Sequence, residues 1–395
     1  MSTEYPPRGH QQTTGSNGEN AGLEPVRNLL ADSFNFRSPD APGLHFMGGL
    51  ADPAMAGFSS ALPKISTAGS GLSTEEAETR CLGEAAERLS SLYDTSRAIQ
   101  HVPSSEVPAE LLACVADTTA ALPCIQGQRL KDGDAVWVPA SLVLHDPTGQ
   151  LESPAGAVAK GIAAGPDWPA AVNAALEELV ERDAAALWWL GGRMPASVSL
   201  DLVSVSGAAT ILAALRQGQE TRTTWLLDLT TEFGLTAIAA ISVMANGEGF
   251  ACGLSAKANA AKAAESALIE MAQMELSQHL IRGKAKALGP EGLTEADFKQ
   301  IERSVRITPQ TCPLILPGQP PRPFSGSPDG MISALTKSID MYVVDCTLPH
   351  LDVPVATVLA PALQTLDPAA DPPRLSEITR STGGGAQYHG GIQLI

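Results

Sequence analysis

The sequence has no apolar run of the roughly 18 to 20 residues that a membrane-spanning helix requires, and its first twenty residues lack the apolar core of a secretory signal. Positive charge is also scarce, because 26 lysines and arginines stand against 43 acidic residues and leave a net charge of −17. Nucleic-acid-binding proteins usually carry a basic patch. We therefore expect a cytoplasmic protein that binds neither membranes nor nucleic acids.

Cysteine and histidine motifs for metal binding are missing as well. The six cysteines form no CxxC pair and the seven histidines form no HExxH motif, which argues against a zinc site. Most of the cysteines lie in apolar stretches, where cysteine behaves as a small hydrophobic residue. This usage is typical of a reducing compartment.

One predicted helix, from about Thr74 to Tyr93, carries Glu84, Glu87 and Arg88 in an ExxER pattern. Ser73 just before it is the predicted N-cap. Apolar residues recur along the segment at helical spacing, which indicates one buried face. The preceding run of small residues, STAGSGLS, is interpreted as a loop that leads into the helix.

Two later segments repeat this arrangement in a chain that is only 17% charged. Glu178, Glu181 and Arg182 have the same ExxER spacing, in a helix that Asp167 is predicted to start. The glycines and alanines of SPAGAVAKGIAAGPDWPAAV, from Ser153, are again interpreted as a loop before the helix. A third helix, from about Asn259 to Arg282, carries the looser copy ESALIEMAQMEL.

The strand pattern predicts an α+β protein with mixed or antiparallel sheets. Strand, turn and strand follow one another from Thr224, with a hairpin over Asn246-Gly247, and again from Met341. This partial repeat favours one intertwined unit over separate domains. We expect a flexible arm at residues 1–22, an irregular segment at 23–65 and a catalytic domain at 66–395.

Paired glutamates three residues apart on a helix suit magnesium, which prefers oxygen ligands and needs only one or two carboxylates per ion. An arginine one residue further can brace a carboxylate or contact a phosphate. The alternative is a solvated helix with ordinary Glu–Arg pairs, which contribute only tenths of a kcal/mol. Because the pattern recurs, we favour acidic helices that line a magnesium–nucleotide cleft.

Five segments, in this order, resemble the YcaO family: STAGSGLSTEEAETRCLGEAAERL, KGIAAGPDWPAAVNAALEELVERDA, LLDLTTEFGLTAIAAIS, the Glu270/Gln273 helix and VVDCTLPHLDVPVATVLAP. The resemblance spans roughly Ser66 to Leu363. It implies an ATP- and Mg²⁺-dependent cyclodehydratase subunit of the microcin type, which forms thiazolines and oxazolines from Cys, Ser and Thr of a ribosomally made peptide. The fold implied is a single YcaO-like domain around a nucleotide cleft.

By motif position, the resemblance implies a metal set and a nucleotide set. The metal ligands are Glu84, Glu87, Glu178 and Glu181, and the nucleotide-binding residues are Ser70, Arg80, Glu84, Arg88, Lys160, Arg182, Glu270 and Gln273. The family's GKG turn is GSG here, so Arg80 and Lys160 are candidates to replace its lysine. The terminal carboxylate of Ile395 is a candidate catalytic base.

The resemblance also implies partners: a precursor peptide, a subunit that binds its leader, and a flavin-dependent azoline dehydrogenase in microcin-type complexes. Thioamide formation is the alternative within the family. The altered GSG turn and the carboxyl terminus favour a second alternative, a non-catalytic nucleotide-binding scaffold. A purely structural helical protein is a third reading, disfavoured by the ordered match.

Overall fold

The computed structural model describes residues 21–394 except 95–96, 119–120, 152–157, 199–206, 322–334 and 368–372. The expected flexible arm falls outside these residues up to position 20, and so does Ile395. The described chain is α+β, as expected from the sequence. None of its helices combines the length and apolarity needed to cross a bilayer.

The described elements are thirteen strands and ten α-helices. The strands are β1 (Leu30–Arg37), β2 (His45–Ala51), β3 (Ile65–Gly71), β4 (Gln100–Val102), β5 (Leu122–Arg129), β6 (Ala135–Pro139), β7 (Lys160–Ala164), β8 (Ala196–Ser197), β9 (Arg222–Asp228), β10 (Thr236–Met244), β11 (Ala251–Lys257), β12 (Tyr342–Asp345) and β13 (Val355–Leu359). The helices are α1 (Glu24–Arg27), α2 (Thr74–Ser90), α3 (Ala109–Leu112), α4 (Ala140–Val143), α5 (Trp168–Trp189), α6 (Ala208–Arg216), α7 (Ala260–Leu288), α8 (Glu295–Arg306), α9 (Pro373–Thr382) and α10 (Ala386–His389).

The strands form three sheets, and all neighbouring strands in them are antiparallel. Their orders are β1-β2-β3, β11-β10-β9-β8 and β4-β5-β12-β13-β7, with β6 paired to β5. The predicted strand repeat is confirmed in detail. In both copies an aspartate accepts the backbone N–H of a threonine two residues later, and the threonine hydroxyl accepts an N–H of the next strand. These distances are 2.8 and 3.2 Å for Asp228 and Thr230, and 3.0 and 3.1 Å for Asp345 and Thr347.

Local side chains start the three long helices where the sequence predicts. Ser73, Asp167 and Asn259 each accept a hydrogen bond from a backbone N–H in the first turn, at 3.1, 2.8 and 2.9 Å. The ends were predicted less well. Helix α2 stops at Ser90, before Tyr93, and α7 continues six residues past Arg282 to Leu288.

The prediction of an irregular segment at residues 23–65 is wrong, because β1 and β2 lie within it and β3 begins at Ile65. Seven of the eight β1 residues are exposed, so the strand lacks the buried apolar face from which strands are usually recognised. Strand β2 contains two glycines, which also weaken its pattern. Gly48 leaves room for an aromatic ring, since a Cβ there would lie 2.1 Å from the ring of Phe34.

The small-residue runs interpreted as loops contain strands β3 and β7, and the start of the second run, residues 153–157, lies outside the described residues. Their glycines let a helix lie directly on the strand: a Cβ on Gly69 would be 2.1 Å from the Ala77 carbonyl oxygen, and one on Gly161 would be 1.9 Å from that of Ala175. Gly253 in β11 is in the same position against α7. Close helix–strand packing, rather than turn formation, therefore explains the composition.

The three long helices form a closed ring with three edge strands. Helix α2 packs on β3, α5 on β7 and α7 on β11, and each helix also contacts the edge strand of the next pair, β7, β11 and β3 in turn. The buried face predicted for α2 is confirmed, with Cys81 and Leu89 completely buried, and Leu179 of α5 is completely buried as well. This ring brings the three acidic motifs to one place.

Candidate active site

The first glutamate of each motif holds its helix to the strand before it. Glu84, Glu178 and Glu270 each accept the backbone N–H of the residue sixteen positions earlier, at 2.6, 2.6 and 2.8 Å. These N–H groups belong to edge strands, which have no further strand to pair with. The shared spacing therefore has a structural role in all three copies.

The arginines of the two ExxER motifs brace these first glutamates. Arg88 lies 2.6 Å from Glu84, and Arg182 forms the same contact with Glu178. Arg182 also donates to the carbonyl oxygen of Lys160 at 3.2 Å. Burial and the nearby Arg182 charge lower the pKa of Lys160. The predicted nucleotide residues Arg88, Lys160 and Arg182 thus lie beside the carboxylates and support them.

The second position of each motif faces the edge strand of the next pair, and here the three copies differ. Glu87 accepts the Ala164 N–H of β7 at 2.8 Å. Gln273 accepts the hydroxyl of Ser70, at the end of β3, at 2.7 Å. Glu181 has no hydrogen-bond or ion-pair partner within the described chain.

A cavity of about 450 Å³, open to solvent, lies beside Glu181. Five of the predicted site residues line it: Ser70, Arg80, Glu181, Glu270 and Gln273. The rest of its described lining is Ala68, Gly69, Leu254, Ser255, Lys257, Ser266 and Ile269. Arg80 is fixed at the rim by a 2.6 Å hydrogen bond to the Ser70 carbonyl oxygen. The cavity is large enough for a nucleotide-sized ligand.

The carboxylates form a continuous electrostatic row from α2 across α5 to α7. Burial, together with the charges of Glu178 and Glu84, raises the pKa of Glu87 to about 8. Burial and the charges of Glu270 and Glu178 raise the pKa of Glu181 to about 8. Burial and the Glu178 charge raise the pKa of Glu270 to about 7, and burial also raises that of Glu178. The row contains five glutamates, Glu84, Glu87, Glu178, Glu181 and Glu270, and two arginines, Arg88 and Arg182.

Such a row fits a divalent cation bound together with phosphate. In the described part of the chain, no three carboxylate, imidazole or thiolate groups are arranged to hold a metal ion by themselves. Magnesium commonly binds through one or two carboxylates and completes its shell with water and phosphate oxygens. Glu181 and Glu270, which line the cavity, have the required chemistry.

Sequence reasoning missed Lys257, the last residue of β11. It lines the cavity and lies 2.7 Å from Glu177 of α5. No spacing motif marks it, and only its position at the end of the strand before the third acidic helix is a signal. Ile395 lies outside the described residues, so its catalytic role stays a prediction.

A family model described as YcaO cyclodehydratase, ATP- and Mg²⁺-binding, matches residues 68–364. No curated protein sequence matches the chain.

Solved structures share the fold at low sequence identity. A heterocyclase in complex with substrate and cofactor is 20% identical with a TM-score of 0.73, and the match covers 92% of this chain but only 55% of that one. YcaO from Methanopyrus kandleri, bound with AMPPCP and Mg²⁺, is 21% identical with a TM-score of 0.61, covering 87% of this chain and 89% of that one. The E. coli microcin synthetase McbBCD complex is 12% identical with a TM-score of 0.60, and the match covers 84% of this chain and 88% of that one.

These matches confirm the resemblance, the fold class and the prediction of ATP and Mg²⁺ as cofactors of an ATP-dependent enzyme family. The residues that match the family model include all three acidic helices and the cavity between them. The chain belongs to the YcaO cyclodehydratase family.

Proposed function

We propose that the chain is the ATP-dependent cyclodehydratase subunit of a peptide-modifying complex. It converts Cys, Ser or Thr residues of a ribosomally made precursor peptide into thiazolines or oxazolines. The observation that carries this proposal is the cavity of about 450 Å³ at the end of a row of raised-pKa carboxylates. An acidic cleft of this kind suits a nucleoside triphosphate that binds as its magnesium complex.

In this proposal Glu181 and Glu270 are the primary magnesium ligands, because both line the cavity. Glu84, Glu87 and Glu178 continue the acidic row and are candidates for a second ion. When bound, the metal neutralises charge on the phosphates. Arg88 and Arg182 keep the first glutamates of their motifs in place, as their contacts with Glu84 and Glu178 support.

The nucleotide occupies the cavity between β3 and α7. Ser70 and Gln273 line it and are hydrogen-bonded to each other, while Arg80 presents a guanidinium group to it. Arg182 acts one layer further out, through its contact with Glu178, and Lys160 lies beside Arg182.

The chemistry requires a good leaving group in place of an amide oxygen. Addition of the side-chain nucleophile of the peptide to the preceding amide carbonyl closes the ring. Transfer of the γ-phosphoryl group of ATP to the resulting oxygen would release ADP and create a leaving group, and loss of phosphate together with the amide proton would leave the C=N bond of the azoline. Enzymatic phosphoryl transfer depends mainly on positioning and charge stabilisation. The residues around the cavity supply both, and the Ile395 carboxylate remains our candidate for the base.

The proposed partners are the precursor peptide, a subunit that binds its leader and a flavin-dependent azoline dehydrogenase. The McbBCD complex with pro-MccB17 bound has the same fold at 14% identity and a TM-score of 0.61, which supports a multi-subunit assembly. We place the reaction in the cytoplasm, where ATP is available and the six free cysteines stay reduced.

The test is to incubate the chain with ATP, Mg²⁺, precursor peptide and partner subunit, and to measure the peptide by mass spectrometry. We expect the loss of one water per ring. Glu181→Gln should abolish the loss, because it removes a proposed metal ligand. Glu265→Gln, which removes a carboxylate from the same helix α7 outside the acidic row, should leave it unchanged.

Other outcomes identify the alternatives. A mass gain that matches replacement of oxygen by sulfur, in the presence of sulfide, would assign thioamide formation. Nucleotide binding without any peptide modification would assign a scaffold role. Full activity of Glu181→Gln would show that the acidic row is not catalytic.

A further inference from the structure

The cavity contains few positive charges for a ligand as anionic as a nucleoside triphosphate. Of the described residues that line it, only Arg80 and Lys257 are cationic. One or two magnesium ions neutralise part of the phosphate charge, and phosphate sites usually add a lysine or arginine beside the metal. These two side chains are therefore the candidates for the cation that binds phosphate in this cavity.

Lys160, the other candidate from the sequence, does not line this cavity. It is half-buried in β7 beside Arg182, and desolvation and the Arg182 charge both lower its pKa. Its backbone carbonyl, rather than its ammonium group, makes the described contact with Arg182.

Lys257 lines the cavity near Glu181, one of the proposed magnesium ligands. Its Nζ lies 2.7 Å from Glu177 of α5, and its side chain keeps 32% of its surface exposed. Glu177 also accepts the Ala258 N–H at 3.4 Å, so it orders the end of β11. Burial raises the pKa of Glu181, and the nearby Lys257 charge counteracts part of that rise.

Resting on the proposed function, we infer that Lys257 is the phosphate-binding cation of the cleft and substitutes for the lysine missing from the GSG turn. Among the described residues its side chain pairs with Glu177 alone, which leaves further ammonium hydrogens to donate. Lys257 lines the same cavity as Glu181 and Glu270 and its charge acts on Glu181, whereas Arg80 of α2 is already bonded to the Ser70 carbonyl oxygen.

The experiment measures binding of AMPPCP with Mg²⁺ by titration calorimetry on the full chain. Lys257→Gln should weaken binding about 10- to 100-fold, the usual effect of losing a charge-assisted hydrogen bond. Lys257→Arg should retain most of the affinity. The matched control is Lys262→Gln, which removes an equal charge from a side chain that is 69% exposed and paired with Glu265 at the start of α7.

A double variant separates a phosphate contact from an indirect effect. Lys257→Gln frees the Glu177 carboxylate, whose charge alone could repel the nucleotide. Lys257→Gln with Glu177→Gln removes both charges, and we expect it to bind as weakly as Lys257→Gln. Recovery of wild-type affinity in the double variant, or unchanged affinity in Lys257→Gln, would overturn the inference. Failure of the wild-type chain to bind AMPPCP would instead reject the proposed function.

Discussion

Glu87 and Glu181 occupy the same position in two identical ExxER motifs, and the structure uses them differently. Glu87 accepts an N–H from β7 at 2.8 Å and lies outside the cavity lining. Glu181 has no described partner and faces the cavity. Both carboxyls have a pKa raised to about 8, with burial as the first cause. The same motif spacing and a similarly raised pKa are therefore found in one carboxyl group that is bonded to a strand and in one that is available to bind a metal ion.

The difference arises from the neighbouring edge strand and not from the helix itself. Each second-position side chain projects toward the next strand in the ring, and only β7 offers a hydrogen bond to it from the backbone. A short motif therefore predicts where a carboxylate points, while the partner across the ring decides what that carboxylate can bind. Three predictions test this distinction.

The largest expected effect is on nucleotide binding. Glu181→Gln should weaken binding of AMPPCP with Mg²⁺ by about 100-fold or more, since even outer-shell partners of metal sites contribute about 10- to 100-fold. Glu87→Gln keeps a carbonyl acceptor for Ala164 and should weaken binding no more than about fivefold. Titration calorimetry measures both. Equal losses would place the ion between α2 and α5.

The second prediction concerns stability: substitutions at the two positions should change the free energy of unfolding in opposite directions. Glu87→Ala leaves the Ala164 N–H unpaired and should lower the free energy of unfolding by about 1 to 3 kcal/mol. Glu181→Ala removes an unpaired, desolvated carboxylate and should raise it by about 1 kcal/mol at pH 8. Urea unfolding without nucleotide measures both, and a loss of stability in Glu181→Ala would show that its carboxylate has a structural partner.

The smallest effect is a change in pH dependence. Because folding raises the pKa of Glu181 from 4.5 to about 8, its stabilising contribution is complete below pH 4.5 and is lost as pH rises through about 8. The nucleotide-free protein should therefore lose stability over this range. Glu181→Gln should reduce the slope by only a fraction of one proton, because the neighbouring Glu87 and Glu270 titrate over the same range. An unchanged slope would mean that Glu181 titrates normally.

The sequence was sufficient for elements that local chemistry determines. Helix starts at Ser73, Asp167 and Asn259 follow from capping side chains, and the hairpin over Asn246-Gly247 follows from turn preference. It was not sufficient for β3 and β7, whose small residues look like loops. Their glycines serve contacts with helices, and such tertiary causes leave no local pattern.

The site shows the same limit. Repetition and family resemblance predicted the acidic side chains that the ring brings together, including Glu178 and Glu270. They did not distinguish Glu87 from Glu181, and they gave no sign of Lys257. Each of these depends on which edge strand meets which helix, and the segments concerned are far apart in the chain. The Lys257–Glu177 contact, for example, joins residues 80 positions apart.

The hydrogen bond between Ser70 and Gln273 joins two residues of the cavity lining that are 203 positions apart. During synthesis, the chain must therefore extend past α7 before the cleft has both of its walls. A nascent or truncated chain that ends before this helix has the first two acidic motifs without the third, and it cannot form the cleft. Nucleotide binding is for this reason gained only after α7 has been synthesised, and it reports completion of the ring.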